Sequence, residues 1–190
     1  WIFFDSTLVW GRSWPTHKHM AWGKDSRALI STRLTKDNWD VAVANAYASH
    51  KCVSAYDTGN VFPLWLDLGG AKQPNFSASF ISTLSSVLTL TPTDYRPEDS
   101  TAPLHVEKIF HYLYAVLHSP AYRQRYAAFL RTDFPRIPIP GSRKVFDALA
   151  KLGAELVAWH LLEHQDATNI VAGSARSAGA TAWFGTDFSL

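Results

Sequence analysis

The residues with the sharpest catalytic spacing in this chain are His160, Glu163 and His164. Two histidines four positions apart can bind zinc from one side of a helix, and a glutamate beside them can activate a zinc-bound water. A zinc hydrolase also needs a third ligand, and only two carboxylates, Asp166 and Asp187, follow in the chain. Histidines also collect at helix C-termini, where they interact favourably with the helix dipole. A small zinc hydrolase is therefore the weaker alternative.

Other catalytic patterns in the sequence are incomplete. His105 and Glu107 have the spacing that begins a zinc deaminase site, but that site needs at least two cysteines, and Cys52 is the only one. Cys52 falls in a predicted strand, where a buried apolar role is commoner than a nucleophilic one. The sequence has no glycine-rich phosphate loop, no Gly-x-Ser-x-Gly elbow and no Asn/Asp-Pro-Pro-aromatic motif. We therefore predict no catalytic residue and no metal site.

Positive charge is concentrated in two segments of the chain. Six cations lie between Arg123 and Lys144 against one acidic residue, Asp133, although the whole chain carries a formal charge of only +2. A second basic segment lies within the first 51 residues. Arg and Lys neutralise phosphates, and Asn and Arg can read base edges, so these segments suit a nucleic acid. Solvated surface is the alternative interpretation.

The candidate nucleic-acid contacts form two groups. Those between residues 27 and 38 lie in the predicted sheet region, and loops on a sheet can enter the major groove to approach bases. Arg123 and Arg131 are eight residues apart, which would place both on one face of a continuous helix, where they could contact phosphates. A solvated face or a contact with another domain would explain the same spacing. The predicted contacts are Arg27, Arg33, Lys36, Asn38, Arg123, Arg125, Arg131 and Arg136.

A mostly antiparallel N-terminal sheet is predicted to position the first group. Its strands are indicated by short runs of β-branched and aromatic residues separated by polar loops. The runs are Trp1–Asp5, Ala28–Arg33, Trp39–Ala44, Lys51–Tyr56 and Val61–Leu66. The segment Asp57–Asn60 contains the Gly and Asn that favour a hairpin turn.

About four helices are predicted after the sheet, which makes the fold class α+β. Their boundaries are Asn75 as the first N-cap, Val106 to His118 for the second helix, Ser119-Pro120 as the start of the third, and Ser142 to about His164 for the fourth. The residues of the fourth helix predicted to face the core are Val145, Leu149, Leu152, Leu156 and Trp159. Three prolines predict that residues 134–140 form an extended segment packed on its own domain.

Composition limits the class of protein. Of the 190 residues, 47% are hydrophobic and 18% charged, which excludes disorder, collagen and coiled coil. A single cysteine suggests a reducing, cytoplasmic location, and no apolar run is long enough to predict a membrane span. The start Trp1-Ile2-Phe3-Phe4 lacks an initiator Met and suggests a piece of a longer polypeptide. We expect one domain over residues 1–164 and a loosely ordered, low-complexity tail over residues 165–190.

Several segments carry a family resemblance. Residues 109–126 (IFHYLYAVLHSPAYRQRY) and 133–138 (DFPRIP) are similar to the C-terminal specificity region of Type ISP restriction-modification enzymes and related adenine-specific DNA methyltransferases. Residues 146–157 resemble the next helix of that family, and Trp1–Asp5 with His19-Met20 resemble its entry strand. The resemblance covers roughly residues 1–164, and the chain departs from the family pattern after Gln165.

The resemblance implies a target-recognition domain that selects a double-stranded DNA sequence and catalyses nothing itself. It also implies that methyltransferase and helicase–nuclease domains belong to the same full-length polypeptide, which methylates adenine and cleaves foreign DNA. S-adenosylmethionine, ATP and Mg would then belong to those domains, and we expect no cofactor in this chain and no membrane partner. A docking domain that does not touch DNA is the alternative, indicated by binding that persists in high salt.

Overall fold

The computed structural model describes residues 2–3, 18–20, 26–36, 38–49, 51–54 and 57–166. The tail predicted over residues 165–190 lies outside the described residues from position 167 onward. Antiparallel strands are followed by five α-helices, which confirms the predicted α+β class.

The strands are β1 (Ile2–Phe3), β2 (Ala28–Thr32), β3 (Val41–Ala44), β4 (Gly59–Pro63), β5 (Trp65–Leu68), β6 (Ala71–Pro74) and β7 (Arg136–Ile137). The helices are α1 (Ala78–Val87), α2 (Val106–His118), α3 (Pro120–Arg125), α4 (Ala127–Leu130) and α5 (Arg143–His160). Short 3-10 turns occur at Lys18–Met20 and Pro92–Asp94.

Strand β2 is the centre of a three-stranded antiparallel sheet, between β3 and β4. Every residue of β2 and β4 is buried. Leu29 of β2 lies opposite Phe62 of β4, and both join the main core with the helices. Ala28 and Ile30 belong to a smaller cluster instead. Alternate residues of β2 therefore fill two different apolar clusters, as the two-residue period of a strand requires.

The predicted strand Val61–Leu66 divides into two. β4 ends at Pro63, and β5 begins at Trp65 and pairs with β6 in a separate hairpin. The hairpin turns at Gly69 and Gly70, whose φ angles of 71° and 88° lie in the left-handed region that glycine tolerates. The Gly-Gly pair was the sequence signal for this hairpin.

The predicted strand Lys51–Tyr56 is wrong over its described residues, 51–54. The Cys52 N–H donates to the Ser49 carbonyl at 3.2 Å in a turn, and Cys52 is exposed rather than buried. The Asp57 N–H donates to the Ser54 hydroxyl at 3.0 Å. Such local bonds compete with a sheet ladder. The hairpin turn predicted at Asp57–Asn60 is also wrong, because its last two residues begin β4.

Two predicted helix starts are confirmed, and one is displaced. The Ser119 and Ser142 hydroxyls accept hydrogen bonds from backbone N–H groups of α3 and α5, as predicted. Helix α1 is capped by Ser77, whose hydroxyl accepts from the Phe80 N–H at 3.3 Å, and not by Asn75. Asn75 is buried, and its Nδ2 donates to the Pro63 carbonyl at 2.7 Å. It therefore ties the start of the helical region to the end of β4.

Two predicted helices end early. The predicted third helix divides into α3 and α4 at Tyr126, which has φ −108° and ψ 15°. Helix α5 ends at His160 rather than near His164, and Leu162 adopts a left-handed conformation with φ 58°. The extended segment predicted at residues 134–140 is confirmed, since it contains β7, which pairs with β1.

Helices α2 and α5 pack side by side and run parallel. Near their first turns, Lys108 Nζ lies 2.8 Å from an Asp147 carboxylate oxygen. Near their last turns, the Tyr114 hydroxyl and His160 Nδ1 are 2.6 Å apart. At the crossing, a Cβ added to Gly153 would collide with the backbone carbonyl of His111. A glycine is therefore what allows the two backbones to approach this closely.

The core-facing side of α5 differs from the prediction. Its buried residues are Phe146, Ala150, Gly153 and Val157. Of the predicted stripe, Leu149 and Leu156 are half-buried and pack against the core, whereas Val145, Leu152 and Trp159 are 47%, 54% and 39% exposed. Both sets repeat at spacings of three and four residues, so periodicity could not decide between them. The set with small residues is buried because it allows the close approach to α2. In the described part of the chain, no helix is long and apolar enough to cross a membrane.

We expect Gly153→Ala to destabilise the domain by about 2 kcal/mol, because the added methyl group overpacks the α2–α5 contact. In an ordinary helix interior the same change stabilises by roughly 1 kcal/mol, so the sign is diagnostic. Urea unfolding measures the free energy of unfolding. Leu152→Ala, at an exposed neighbouring position, is the control and should change it by less than about 1 kcal/mol. A stabilised Gly153→Ala variant would contradict the close packing.

Candidate nucleic-acid interface

Four cations from two distant parts of the chain form one surface, called here the basic edge: Arg33, Lys36, Arg131 and Arg136. The loop between β2 and β3 supplies the first two, and the segment after α4 supplies the other two. The backbone joins these parts, since the Thr35 N–H donates to the Arg131 carbonyl at 3.1 Å. All four side chains are exposed. Two pairs of cations that lie far apart in the sequence thus form one charged surface.

Asp133 lies between two cations of the basic edge. One carboxylate oxygen accepts a hydrogen bond from Arg33 Nε at 3.3 Å and another from the Phe134 N–H at 2.9 Å. The other oxygen lies 3.9 Å from Arg136 Nη2. Arg33 and Arg136 nevertheless keep 58% and 48% of their side-chain surface exposed. One carboxylate shared by two guanidinium groups orients both and leaves the surface positive.

Aromatic rings support three of the predicted contact residues that are exposed. The Arg33 guanidinium lies 5.8 Å from the centre of the Phe134 ring, and that of Arg136 lies 4.7 Å from the Phe129 ring. Arg125 is exposed at the end of α3, over its neighbour Tyr126. Cation–π contact limits the rotamers of a guanidinium without using its N–H donors. The rings therefore orient these three guanidinium groups at the surface.

Hydrogen bonds fix the backbone on both sides of the basic edge. The Tyr122 hydroxyl donates to the Arg136 carbonyl at 2.8 Å. In the other segment, the Asp57 carboxylate accepts from the Thr35 hydroxyl at 2.8 Å and from the Lys36 N–H at 3.1 Å. The Thr35 hydroxyl, and then the Lys36 N–H, lower the pKa of Asp57. Asn38 is exposed on the same loop as Lys36. The cations are thus carried on a pre-organised backbone.

Arg27, predicted to approach bases, occupies a different place. Its Nη2 donates to both carboxylate oxygens of Glu163, at 3.1 and 2.9 Å, and its Nη1 donates to the Ser26 carbonyl at 3.0 Å. The Arg27 side chain is only 16% exposed. Asn45 also donates to Glu163, at 3.3 Å. These contacts join the sheet to the segment that follows α5, so they place Arg27 in contact with its own domain, and its approach to bases stays a prediction.

Arg123, predicted to share a helix face with Arg131, is likewise held inside the domain. Its Nε donates to the Leu117 carbonyl at 2.7 Å, and its Nη2 lies 2.9 Å from an Asp40 carboxylate oxygen. The guanidinium stands over the Trp39 ring at 5.4 Å. Because α3 and α4 are separate helices, the predicted continuous face does not exist. Arg131 belongs to the basic edge, and Arg123 ties α3 to the residues before β3.

The three residues of the candidate zinc site contact three different partners. His160 Nδ1 faces the Tyr114 hydroxyl, Glu163 pairs with Arg27, and the His164 ring stacks on Trp159 with ring centres 4.2 Å apart. The helix ends at His160, so one helical turn does not hold both histidines. Within the described residues, no group of three or more His, Cys, Asp or Glu is arranged to hold a metal ion. The geometry does not support the zinc hydrolase.

Two half-buried histidines, His111 and His118, lie on α2. Burial, and then the neighbouring Arg123 and His160, lower the pKa of His118 to about 4. Arg123 Nη2 is 3.2 Å from His118 Nδ1, so the ring accepts there and is neutral. Burial also lowers the pKa of His111 to about 4, with smaller contributions from His105 and Arg27. Both rings are neutral in the folded protein at neutral pH.

Sequence reasoning missed the groups that organise the basic edge. Asp133 was visible as the single acidic residue in the basic segment from Arg123 to Lys144, but its two arginine partners depend on the fold. Thr35 and Asp57 are 22 residues apart, and local sequence gives no sign that they bond. The buried hydroxyl of Thr35 is therefore a contribution that only the structure reveals.

The fold of the chain has counterparts among solved structures. The chain is similar to one in the "cryoEM structure DrdV-DNA complex", with 27% sequence identity and a TM-score of 0.58, covering 73% of this chain and 12% of that one. It is also similar in fold to a nuclease-deletion mutant of the Type ISP restriction-modification enzyme LlaGI in complex with a DNA substrate mimic, with 22% identity and a TM-score of 0.50. That match covers 72% of this chain and 10% of the LlaGI chain.

The chain has the fold of a domain found within much larger chains, since it spans 12% of the DrdV chain and 10% of the LlaGI chain. The family model of the Type ISP C-terminal specificity domain matches residues 1–181, and the chain belongs to this family. The predicted family is therefore confirmed, while the predicted domain boundary at residue 164 stays a prediction. None of the curated proteins compared matches the chain.

We expect the free energy of unfolding to fall as the pH drops from 8 to 5. His111 and His118 have folded pKa values near 4, below the unfolded value of 6.5. The unfolded chain therefore binds protons first, and the stability present above pH 6.5 is lost as the pH falls toward 4. The expected loss by pH 5 is about 2 kcal/mol or more. Urea unfolding at several pH values measures it.

His118→Asn tests the origin of this pH dependence. Asparagine keeps an acceptor for Arg123 but cannot titrate, so the variant should lose about half of the slope between pH 8 and 5. Asp99, with a pKa of about 2, contributes only below this window. A wild-type stability that is flat between pH 8 and 5 would contradict the predicted role of the half-buried histidines.

Proposed function

We propose that this chain selects the DNA sequence on which a Type ISP restriction-modification enzyme acts. The family match over residues 1–181 carries the proposal. It is supported by the presence of DNA in the DrdV and LlaGI structures, and by the basic edge, whose exposed cations suit a phosphate backbone. In this proposal the chain binds double-stranded DNA and contributes no catalytic residue.

We divide the proposed DNA contacts into phosphate contacts, which hold the duplex, and base contacts, which read its sequence. We assign Arg131 and Arg136, on the rigid segment that contains β7, to phosphates, because phosphate contacts fix register without reading sequence. Arg125, exposed at the end of α3, is assigned to the same role. Arg33 is assigned to bases, because its planar guanidinium can pair with guanine through two hydrogen bonds. Lys36 and Asn38, on the same loop as Arg33, complete the base-reading group.

The remaining activities belong to other parts of the full-length polypeptide. The chain spans 12% of the DrdV chain and 10% of the LlaGI chain, so most of a similar protein would lie outside it. We propose that a methyltransferase domain methylates adenine with S-adenosylmethionine, and that a helicase–nuclease part uses ATP and Mg. The proposed location is the cytoplasm. In this arrangement Arg27 and Arg123 are positioning residues that stabilise the fold of the domain.

Selection from random duplex DNA over a salt series tests the proposal. We expect the bound fraction to enrich one short sequence and the affinity to fall steeply with salt. Arg131→Gln should reduce the slope of log affinity against log salt by about 0.9, the value for one phosphate contact. Lys151→Gln removes the same charge from an exposed position on α5 and should leave the slope unchanged. Affinity that persists in high salt would indicate the docking alternative instead.

The substitution Arg33→Lys tests base reading separately from phosphate binding. Lysine keeps the charge but loses the planar pair of donors, so sequence selectivity should drop by roughly tenfold at one position, while affinity for non-specific DNA changes little. Competition between the selected site and its single-base variants measures the selectivity. The matched variant Arg136→Lys should keep the selectivity of the wild type. Equal selectivity in Arg33→Lys and the wild type would remove Arg33 from the base-reading group.

A further inference from the structure

Two adjacent residues in the loop of the basic edge reverse the usual pattern of burial. Leu34 is 61% exposed, whereas Thr35 is only 8% exposed. A leucine side chain is stabilised by removal from water, and a hydroxyl is destabilised by it unless it finds a hydrogen-bond partner. The loop supplies that partner to Thr35 through Asp57, at 2.8 Å. It leaves the leucine in water. Such inversions of local preference concentrate at functional sites.

The exposure of Leu34 is fixed by bonds on the residues that follow it. The Thr35 N–H is bound to the Arg131 carbonyl at 3.1 Å, and the Lys36 N–H to the Asp57 carboxylate at 3.1 Å. Turning Leu34 toward the core would break these bonds and expel the Thr35 hydroxyl. The leucine is therefore presented outward by a held backbone.

The position of Leu34 distinguishes it from the other large exposed apolar residues. Val145, Leu152 and Trp159 lie along α5, and Leu68 lies beside the turn of the β5–β6 hairpin. Among the described residues, Leu34 is the large exposed apolar side chain that stands within the basic edge. Arg33 precedes it, Lys36 lies two residues further along the loop, and the next residue, Thr35, donates its N–H to the Arg131 carbonyl. An apolar group there meets whatever polyanion the cations attract.

A nucleic acid offers a small apolar target beside its phosphates. In the major groove this target is the C5 methyl group of thymine, which distinguishes a T·A pair from the other pairs. We infer that Leu34 is a specificity-determining residue that contacts a thymine methyl in the recognised DNA sequence. The inference rests on the proposed function, since it requires that the basic edge bind DNA, and it identifies one chemical group that the loop reads.

Replacing thymine by uracil tests the inference, because uracil lacks only the C5 methyl. Each thymine of the DNA site selected by the wild-type chain is replaced in turn, and binding affinities are measured. At one position, uracil should weaken wild-type binding about fourfold, the expected effect of burying one methyl group. Leu34→Ala should bind the thymine and uracil forms of that site equally. Leu68→Ala, at an exposed position away from the basic edge, is the control and should keep the fourfold difference.

The outcomes separate this inference from the proposed function. Selection of no DNA sequence would overturn both. A selected site whose thymines can all be replaced by uracil without effect would overturn the inference alone. So would a Leu34→Ala variant that keeps the fourfold difference, or one that loses affinity equally for both forms, as insertion between base pairs would predict. A thermal unfolding midpoint of Leu34→Ala equal to that of the wild type establishes that the variant is folded.

Discussion

The close contact between the parallel helices α2 and α5 is the constraint on which the other elements depend. Parallel helices cannot be joined by a short turn, so the chain leaving α2 must return along its whole length. Helix α2 has 13 residues and is about 20 Å long. The seven residues 134–140, when extended, span about 23 Å. This return segment carries Arg136, and the Tyr112 and Tyr122 hydroxyls hold its carbonyls. The helix pair therefore determines where Arg136 of the basic edge lies.

The arginines of the domain form two groups, which differ in how exposed their side chains are and in what those side chains bind. Arg27 and Arg123, with 16% and 31% of their side-chain surface exposed, satisfy most of their donors on nearby carboxylates and carbonyls. Arg33 and Arg136 share a single carboxylate and keep about half of their surface in contact with solvent. A buried guanidinium with two carboxylate bonds cannot be moved cheaply to a new partner. An exposed one that rests on an aromatic ring is already oriented and still has donors to offer.

Local signals predicted much of this architecture. The serines before α3 and α5 and the prolines of the return segment act through their own backbone, so sequence alone located them. The family resemblance identified the class of protein to which the chain belongs. The core face of α5 was predicted only in part, through Leu149 and Leu156. Two apolar stripes have the same period, and only the contact of Gly153 with α2 decides which of them is buried. The partners of Arg27 and Arg123 lie 136 and 83 residues away, and no local pattern contains that information.

The pairing of Arg27 with Glu163 has a consequence for the order of synthesis and folding. The ribosome completes the central sheet strand more than a hundred residues before it adds this glutamate. Until then, Arg27 is without its two charge-assisted bonds, and the sheet is not joined to the end of the last helix. Such long-range contacts are formed late, because loop closure is costly before distant partners meet. The domain therefore completes its folding as one unit, only after its last helix has left the ribosome.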